Sequence, residues 1–368
     1  MTDLMPPPLT TTGRAGASTG GRTGNRPELH ELDGYLTCVD VVDVTHDVKS
    51  FSFEVPDPGV LRFLPGQYLT FRLVVDGQPV ERCYTISSAP TRPERLSITV
   101  KRVPGGVVSN ALHDRLCVGD VVGASGPFGR FTFDHHPAER YLFLTAGSGI
   151  TPAMSMLRAM RDRGAAADLV LVHCARTPDD IVFRAELEQA AHEGAARLVV
   201  LCEADSPTER WRGPTGRLTL EALLSAAPDL RRREVFTCGP RPFMEAVRGH
   251  LDVVGFDTAR CHEESFVLGG GGDPGGDTGS GTTYAVAFRR SGRTVECDSG
   301  TTILQAAARS GLTLPSSCAE GVCGTCKATL LSGEVDMEHQ GGIRPREVRE
   351  GMFLPCCSTP LGDLEVDA

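Results

Sequence analysis

The sequence has no apolar run of the about 18 residues that a membrane-spanning helix needs, so we expect no membrane span. Positive charge is also scarce, because 37 Lys and Arg face 47 Asp and Glu, and the net charge of −10 disfavours nucleic-acid binding. The N-terminus lacks the apolar segment of a secretory signal, and we therefore expect a cytoplasmic protein. His30, His135, His136 and His339 lack the spacing of metal ligands.

The 368 residues are too many for one ordinary domain, and the pattern of the chain divides them into five segments. Residues 1–32, rich in Pro, Gly and Thr, are predicted to be a disordered tail. Residues 33–137 hold several short strands of alternating polarity, which predict an antiparallel β-barrel. Residues 138–262 join continuous apolar strands to helical stretches, which predict a parallel α/β sheet. Residues 263–282 contain the run GGGGDPGGDTGSGT and are a predicted flexible linker, and residues 283–368 form a small α+β module.

Thirteen cysteines are the strongest chemical signal in the chain. In a cytosolic protein, clustered cysteines are more often metal ligands than disulfides. Four of them have the spacing C-x4-C-x2-C-x29-C, in which one loop supplies three thiolates and a distant residue supplies the fourth. The four are Cys318, Cys323, Cys326 and Cys356. This spacing is typical of a plant-type [2Fe–2S] cluster.

The cysteine spacing leaves alternatives open. A structural zinc site would favour a second C-x2-C pair, and a set of disulfides is a further interpretation. Cys357 adjoins Cys356 and is an alternative fourth ligand. Gly321 and Gly324 lie between the ligands, where we expect their backbone N–H groups to point at the sulfurs.

The strand segment ERCYTISS offers three groups that a flavin dinucleotide needs. Arg82 supplies a cation for a pyrophosphate, Tyr84 a ring to stack on, and Thr85 or Ser87 a small polar group near the reactive nitrogen. The later segment VKRVPGGVVSNALH places two glycines before Ser109, a predicted helix N-cap beside a phosphate site. This second phosphate site favours FAD over FMN. An ordinary half-buried strand and an ordinary capped helix are the alternative explanations.

The segment AGSGITPAMSMLR follows an apolar strand and is a candidate NAD(P)-binding loop. Gly147 and Gly149 permit a tight turn, Thr151 is predicted to cap the following helix, and Pro152 suits its first position. The dinucleotide fingerprint is incomplete, because Pro152 replaces its third glycine. Arg176 follows a later strand and could receive the 2′-phosphate of NADPH or pair with a neighbouring aspartate. NADH is favoured over NADPH.

Residues 33–368 resemble reductases of the ferredoxin–NADP reductase superfamily that carry a C-terminal plant-type ferredoxin domain of β-grasp fold. The likeness is greatest to reductase components of Rieske-type oxygenases that demethylate glycine betaine, stachydrine or carnitine. It is carried by the stretches GQPVERCYTISS, SITVKRVPGG, ARTPDDIVF and ARCHEESF. The resemblance implies an NAD(P)H-dependent reductase that passes electrons through FAD and a [2Fe–2S] cluster to a separate oxygenase.

The resemblance also implies roles for individual residues. Thr85 and Cys238 are the implied catalytic residues, with Cys238, in TCGPRPFM, beside the nicotinamide. Phe266 is implied to cover the flavin with Glu264 near it, and a plain entry into the linker explains these two residues equally well. The implied FAD contacts are Arg82, Tyr84, Thr85, Ser87, Val100, Gly105, Gly106, Val108, Ser109 and Phe266. The implied nucleotide contacts are Gly147, Gly149, Thr151, Pro152, Arg176, Cys238, Gly239 and Pro240.

Several other functions stay open at this point. The chain could serve a di-iron hydroxylase, a phenylacetyl-CoA epoxidase or a hybrid-cluster protein as its reductase. It could also be a non-catalytic redox sensor that uses flavin and cluster as signals. A simple ferredoxin-like carrier with a degenerate reductase portion is disfavoured, because Arg82, Tyr84, Gly147 and Cys238 are intact.

Overall fold

The computed structural model describes residues 32–55, 61–165, 167–264, 282–312, 314, 321, 324, 326–339 and 342–368. These residues form three main sheets, which we name the N-terminal, central and C-terminal sheets. The predicted tail and linker lie almost entirely outside the described residues, and so do Phe266, Cys318 and Cys323.

The N-terminal sheet is a six-stranded antiparallel sheet followed by one helix. Its elements are β1 (Leu32–Thr45), β2 (Val48–Glu54), β3 (Tyr68–Val75), β4 (Gln78–Thr85), β5 (Arg95–Lys101), α1 (Val107–Arg115) and β6 (Val121–Phe128). The strand order is β4-β3-β6-β1-β2-β5. The two edge strands approach each other through a bridge between Ile86 and Ile98. The sheet therefore curls towards closure, which confirms the predicted barrel.

The alternation in β2 shows how the sequence builds this sheet. Phe51 and Phe53 point inward and are fully buried, because successive strand residues face opposite sides. Ser50 and Ser52 face the other side, where their hydroxyls hydrogen-bond to Thr99 at 2.7 Å and to Ser97 at 2.9 Å. One face of β2 thus packs apolar side chains into the core, and the other face forms side-chain hydrogen bonds to β5.

The central sheet has five parallel strands with helices on both faces. Its elements are β7 (Arg140–Ala146), α2 (Ile150–Asp162), β8 (Asp168–Ala175), α3 (Arg184–His192), β9 (Arg197–Cys202), α4 (Leu220–Ala226), β10 (Glu234–Cys238), α5 (Arg241–Val253) and β11 (Cys261–Glu264). The order is β11-β10-β7-β8-β9, and every pairing is parallel. Phe143 packs with Met156 of α2 on one face, while Leu144 packs with Val247 of α5 on the other. The continuous apolar run of β7 is therefore buried on both sides, as the sequence predicts.

The C-terminal sheet is mixed and packs against one helix. Its elements are β12 (Thr283–Phe288), β13 (Arg293–Asp298), α6 (Ile303–Arg309), β14 (Ala328–Ser332), β15 (Val335–Met337), α7 (Pro345–Arg349), β16 (Met352–Phe353), β17 (Ser358–Pro360) and β18 (Leu364–Asp367). The order is β13-β12-β18-β14-β16, with β12 and β18 parallel, and β15 pairs with β17 separately. A hairpin that turns at Ser291–Gly292 joins β12 to β13. The α+β arrangement agrees with the predicted β-grasp module.

Strand β6 and helix α4 are two elements whose formation the structure explains. Strand β6, VVGASGPF, contains Gly, Ser and Pro, which hide its alternation. It forms because β1 and β3 pair with it on both sides. The short α4 is capped by Thr219, whose hydroxyl accepts the backbone N–H of Ala222 at 3.1 Å. Among the described residues, no helix combines the length and apolarity required to cross a bilayer.

Candidate redox cofactor sites

The end of strand β4 holds the residues that the sequence identifies as flavin contacts. Tyr84 is half-buried, with its ring centroid 5.9 Å from that of Phe71. Arg82 is also half-buried, and its guanidinium donates to the carbonyl oxygen of Glu81 at 2.7 Å. Thr85 is 3% exposed, and its Oγ1 atom has no hydrogen-bond partner among the described residues. A buried hydroxyl without a partner fits a polar cofactor group at this point.

Glu264, the last residue of β11, lies against Thr85. It is buried, and within the described part of the chain its Oε2 atom has no hydrogen-bond partner. Burial raises the pKa of the Glu264 carboxyl to about 8, while the nearby Thr85 hydroxyl opposes this rise. The two side chains are therefore close, although they fall outside hydrogen-bond geometry. The carboxyl group is largely protonated at neutral pH and can hold or release a proton beside Thr85.

Cys238 ends β10 directly beside Glu264, since the two residues are register partners in the parallel β10–β11 pair. Burial raises the pKa of the Cys238 thiol, and the carboxyl of Glu264 raises it further. The thiol is therefore protonated and acts as a small neutral group rather than as a nucleophile. The fold thus brings both predicted catalytic residues, Thr85 and Cys238, to the same buried carboxyl. Sequence reasoning left Glu264 undecided, and its only signal was its place within HEESF, the segment that ends the reductase part of the chain.

Helix α1 begins at Val107 with Gly106 as its N-cap, so the predicted cap at Ser109 was wrong. Ser109 lies in the first turn, where its hydroxyl accepts the backbone N–H of Val103 at 3.2 Å. A Cβ at Gly106 would lie 2.7 Å from Ser109 Oγ, and Gly105 has a φ of +72°, so this turn requires both glycines. No described side chain caps α1, which leaves its first N–H groups available to an anion.

Three further predicted flavin contacts point into the barrel. Val100 and Val108 belong to its apolar core. The hydroxyl of Ser87 hydrogen-bonds to Thr99 at 2.9 Å and donates to the carbonyl oxygen of Ser97 at 3.1 Å. These three side chains therefore serve the packing and hydrogen bonding of the barrel itself.

The candidate nucleotide loop joins β7 to α2 at the C-terminal edge of the central sheet, where ligands bind in such folds. Gly147 has a φ of +52°, and a Cβ at Gly149 would lie 2.2 Å from the carbonyl oxygen of Cys238. Gly149 is itself the N-cap of α2, so the cap predicted at Thr151 was wrong. Pro152 is the third residue of the helix and not its first. The loop and the helix N-terminus together fit a pyrophosphate.

Gly239 and Pro240 continue from Cys238 at the same edge. A Cβ at Gly239 would lie 2.7 Å from the ring of Phe243 and 3.1 Å from the Cβ of Ala146, so the two loops pack closely. Pro240 is exposed and is the N-cap of α5. The predicted nucleotide contacts from Gly147 to Pro240 therefore converge on one edge of the sheet.

Arg176 follows β8 and is paired with two aspartates. Its Nη2 atom lies 3.2 Å from Oδ2 of Asp47 and also bonds Oδ1 of Asp180. Lys101 pairs with the same Asp47 oxygen at 3.2 Å. Of the two possibilities raised by the sequence, the structure shows the aspartate pair.

Cys326 and Cys356, two of the four predicted cluster ligands, lie together in a small buried cluster of the C-terminal sheet. Each is 5% exposed. The backbone N–H of Gly321 donates to the Sγ atom of Cys356 at 3.2 Å, as predicted for a glycine of the ligand loop. Thiols held by an N–H donor in an apolar pocket suit an iron–sulfur cluster. Cys318 and Cys323 fall outside the described residues.

The segment that carries Cys326 also contacts the N-terminal sheet. Lys327 places its Nζ atom 5.2 Å from the ring centroid of Phe128, and the guanidinium carbon of Arg344 lies 4.8 Å from the same centroid. Glu347 accepts from Lys327 Nζ at 2.8 Å and from the backbone N–H of Arg344 at 2.8 Å. Cation–π contacts thus join the residue after a predicted cluster ligand to the sheet that carries the predicted flavin strand.

Comparison with known proteins assigns all three sheets to families. Residues 36–133 match the oxidoreductase FAD-binding domain, residues 143–249 the oxidoreductase NAD-binding domain, and residues 286–361 the 2Fe-2S iron-sulfur cluster binding domain. The chain is 43% identical over 345 residues to the glycine betaine monooxygenase reductase subunit of Pseudomonas aeruginosa, covering 90% of this chain and 94% of the relative. The chain belongs to the family of oxygenase reductase subunits.

Two further similarities extend this family. The stachydrine N-demethylase reductase subunit of Rhizobium meliloti is 41% identical over 338 residues, with 90% of this chain and 96% of the relative covered. The structure of phthalate dioxygenase reductase, a modular protein for electron transfer from pyridine nucleotides to [2Fe–2S], matches with a TM-score of 0.57 and 26% identity. That match covers 91% of this chain and 97% of phthalate dioxygenase reductase.

The cofactors of this oxygenase reductase are FAD, NAD(P)H and a [2Fe–2S] cluster. The zinc and disulfide interpretations of the cysteines find no support in these matches. When bound, FAD would supply two-electron hydride chemistry with NAD(P)H, and the cluster would supply one-electron transfer. The protein's own residues supply the buried acid Glu264 and the neutral thiol of Cys238, and the glycine turns supply backbone donors that would hold the cofactors. No general base is needed for hydride transfer, and the site has no Ser–His–Asp arrangement among the residues discussed above.

Proposed function

We propose that this chain is a cytoplasmic, NADH-dependent reductase that supplies electrons to a separate Rieske-type oxygenase, which demethylates a quaternary ammonium compound of the glycine betaine class. The observation that carries the proposal is the identity of 41–43% to the glycine betaine and stachydrine reductase subunits over nine-tenths of the chain. The relatives support this function over a di-iron hydroxylase reductase or a redox sensor. We further propose residues 33–137, 138–262 and 283–368 as its FAD, NAD(P) and ferredoxin domains.

The proposed catalytic residues are Thr85 and Cys238, which lie beside Glu264 at the position where hydride passes between the cofactors. The unpartnered Thr85 hydroxyl and the buried Glu264 favour this assignment. The proposed FAD contacts remain those predicted from the sequence. The proposed cluster ligands are Cys318, Cys323, Cys326 and Cys356.

The preference for NADH rests on Arg176. Its guanidinium is paired with Asp47 and Asp180, and both carboxylates would repel the 2′-phosphate of NADPH. We expect kcat/KM for NADH to exceed that for NADPH by about tenfold or more, equivalent to about 1.4 kcal/mol. In Asp47→Asn this ratio is expected to fall, because one of the two repelling carboxylates loses its charge. An unchanged or higher ratio in the variant would contradict the assignment.

Reconstitution with an oxygenase tests the main proposal. The purified holoprotein is mixed with NADH, glycine betaine and the oxygenase component of the Pseudomonas aeruginosa glycine betaine monooxygenase. Demethylation of an N-methyl group by oxygen releases formaldehyde, which is measured with and without each component. Formaldehyde release that depends on this chain is expected. Rapid cytochrome c reduction by NADH without any formaldehyde release, here and with the oxygenase encoded nearest to this chain, would reject the proposed partner class.

A further inference from the structure

Helix α2 presents a polar face to the segment 87–92, which follows the flavin strand β4. The Ser155 hydroxyl donates to the carbonyl oxygen of Ser88 at 2.8 Å. Arg158 donates through Nη1 to the carbonyl oxygen of Ser87 at 2.6 Å. Asp162 accepts two hydrogen bonds from Arg92, at 2.6 and 3.1 Å. Residues three and four apart lie on one helix face, so Ser155, Arg158 and Asp162 form a continuous docking face.

Arg158 is the central and best-buried charge of this docking face. Its side chain is only 17% exposed, and its Nε and Nη2 atoms bind both carboxylate oxygens of Glu186 on α3. One guanidinium therefore joins the N-terminal sheet, α2 and α3 in a single bidentate network. The Arg92–Asp162 pair is weaker by comparison, because Arg92 is 68% exposed and water screens its charge.

The backbone of Phe183 supports the same arrangement. Phe183 has a φ of 60° and a ψ of 28°, which is the left-handed region that a bulky side chain rarely adopts. This conformation places its ring 4.7 Å from the guanidinium carbon of Arg158. Strained residues persist where the surrounding structure holds them, and they often mark a functional constraint. In this conformation the Phe183 ring lies against the Arg158 guanidinium, which also donates to Ser87 and to Glu186.

Helix α2, which carries the docking face, connects the nucleotide loop to the region of the flavin strand. Helix α2 begins at Ile150, immediately after the nucleotide loop of Gly147 and Gly149. Ser87, whose carbonyl oxygen accepts from Arg158, lies two residues after Thr85, just beyond the end of the flavin strand. Helix α2 thus carries the nucleotide loop at one end and, eight residues further along, binds the segment that follows the flavin strand.

We propose that Arg158 is a positioning residue for hydride transfer, which sets the distance between the nicotinamide beside Cys238 and the flavin beside Thr85. The inference rests on the proposed binding of NADH and FAD at these residues. In this step the C4–H bond of NADH breaks and the hydride carries two electrons to N5 of the flavin, so NADH and FAD become NAD⁺ and FADH⁻. A displacement of about 1 Å can slow such a step about a hundredfold, so the docking face controls the rate without touching either cofactor.

Rapid mixing of the FAD- and cluster-loaded protein with NADH, in the absence of any electron acceptor, tests this inference. In Arg158→Met the limiting rate of flavin reduction is expected to fall about tenfold to a hundredfold, while the NADH concentration for half-maximal rate changes less than about threefold. Arg158→Lys is expected to recover part of the rate, because lysine can still donate to Ser87. The matched control is Arg161→Met. Arg161 lies on the same helix, and among the described residues its side chain pairs only with Glu193 of its own domain. The control is expected to keep the wild-type rate.

Hydrogen exchange of the backbone amides in residues 87–92 supplies a readout that does not depend on activity. Exchange in this segment is expected to be faster in Arg158→Met and unchanged in Arg161→Met. A wild-type limiting rate in Arg158→Met, or equal slowing in both variants, would overturn the inference. If Arg158→Met does not fold, Glu186→Gln loosens the same guanidinium more gently, and an unchanged limiting rate there would also overturn it.

These measurements keep the inference separate from the proposed function. Flavin reduction is recorded without an oxygenase, so a wrong partner class leaves the result intact. A wild-type protein whose flavin NADH does not reduce would instead count against the proposed function itself.

Discussion

The backbone N–H of Gly321 donates a hydrogen bond to the Sγ atom of Cys356 across 35 positions of the sequence, at 3.2 Å. This bond ties the ligand loop to the distant fourth cysteine of the pattern. N–H donors to cluster sulfurs stabilise the reduced cluster and raise its potential. The hydrogen bond from Gly321 also distinguishes Cys356 from its neighbour Cys357, whose Sγ atom donates to the carbonyl oxygen of Leu354 at 3.7 Å.

The two adjacent cysteines therefore make a matched pair of substitutions. Cys356→Ser is expected to lose bound iron and most of its NADH-dependent cytochrome c reduction, because the cluster loses a thiolate ligand. Its flavin reduction by NADH is expected to stay within about twofold of wild type, since distant sites act independently. Iron content, visible absorbance and stopped-flow flavin reduction check these outcomes.

Cys357→Ser is the control for that variant and is expected to retain iron and cytochrome c reduction. The reverse result, with iron lost from Cys357→Ser and kept in Cys356→Ser, would identify Cys357 as the ligand. Cytochrome c reduction that survived in an iron-free Cys356→Ser protein would show that electrons leave by another route.

Gly321→Ala probes the loop geometry around the same bond. Gly321 has a φ of +69°, and a Cβ there would lie 2.6 Å from Cys357 Sγ and 3.0 Å from the Cα of His339. The left-handed conformation alone costs an alanine about 1 to 2 kcal/mol, and the overlap adds to this. We expect lower iron content and a shifted cluster potential. Gly300→Ala is the control, because no described atom lies within 4 Å of its added Cβ. Full iron loading of Gly321→Ala with an unshifted potential would show that the loop tolerates the side chain.

Glu264→Gln is expected to change the pH dependence of stability. The pKa of Glu264 is about 8 in the folded protein against an ordinary value of 4.5, and burial is the main cause. The folded state therefore holds the proton more tightly, so this contribution to stability is complete below about pH 4.5 and is lost as pH rises to about 8. Glutamine cannot ionise, so the stability of the variant relative to the wild type increases as the pH rises from about 4.5 to about 8. The full shift corresponds to about 3 to 5 kcal/mol.

Urea unfolding of the holoproteins at about pH 6 and about pH 9, followed by flavin fluorescence, measures the part of this contribution that is lost between about pH 6 and about pH 8, which is about 2 to 3 kcal/mol. Glu263→Gln is the control, because its exposed carboxylate pairs with Arg248 at the surface and contributes at most about 1 kcal/mol. Equal pH dependence in Glu264→Gln and wild type would show that the carboxyl is already ionised in the folded protein.

Local patterns predicted several short strands in residues 33–137, because apolar alternation reflects which face of a strand is buried. They misplaced both helix caps, at Ser109 and Thr151. In each case glycine takes the cap, since a Cβ at Gly106 would overlap Ser109 and one at Gly149 would overlap the Cys238 carbonyl. A cap preference is a property of one residue, whereas these overlaps depend on how neighbouring segments pack.

Residue types and their spacing along the chain were enough to predict the cofactors of this protein. The spacing of four cysteines, the glycines of the nucleotide loop and the polar strand ERCYTISS each predict a cofactor, because ligand type and close backbone approach are local properties. Only the tertiary structure brought Thr85, Cys238 and Glu264 together, from three strands of two sheets. The tertiary structure also places Arg158 against Ser87, in the segment that follows the flavin strand. Such contacts depend on strand order and domain packing, which residue spacing along the chain does not encode.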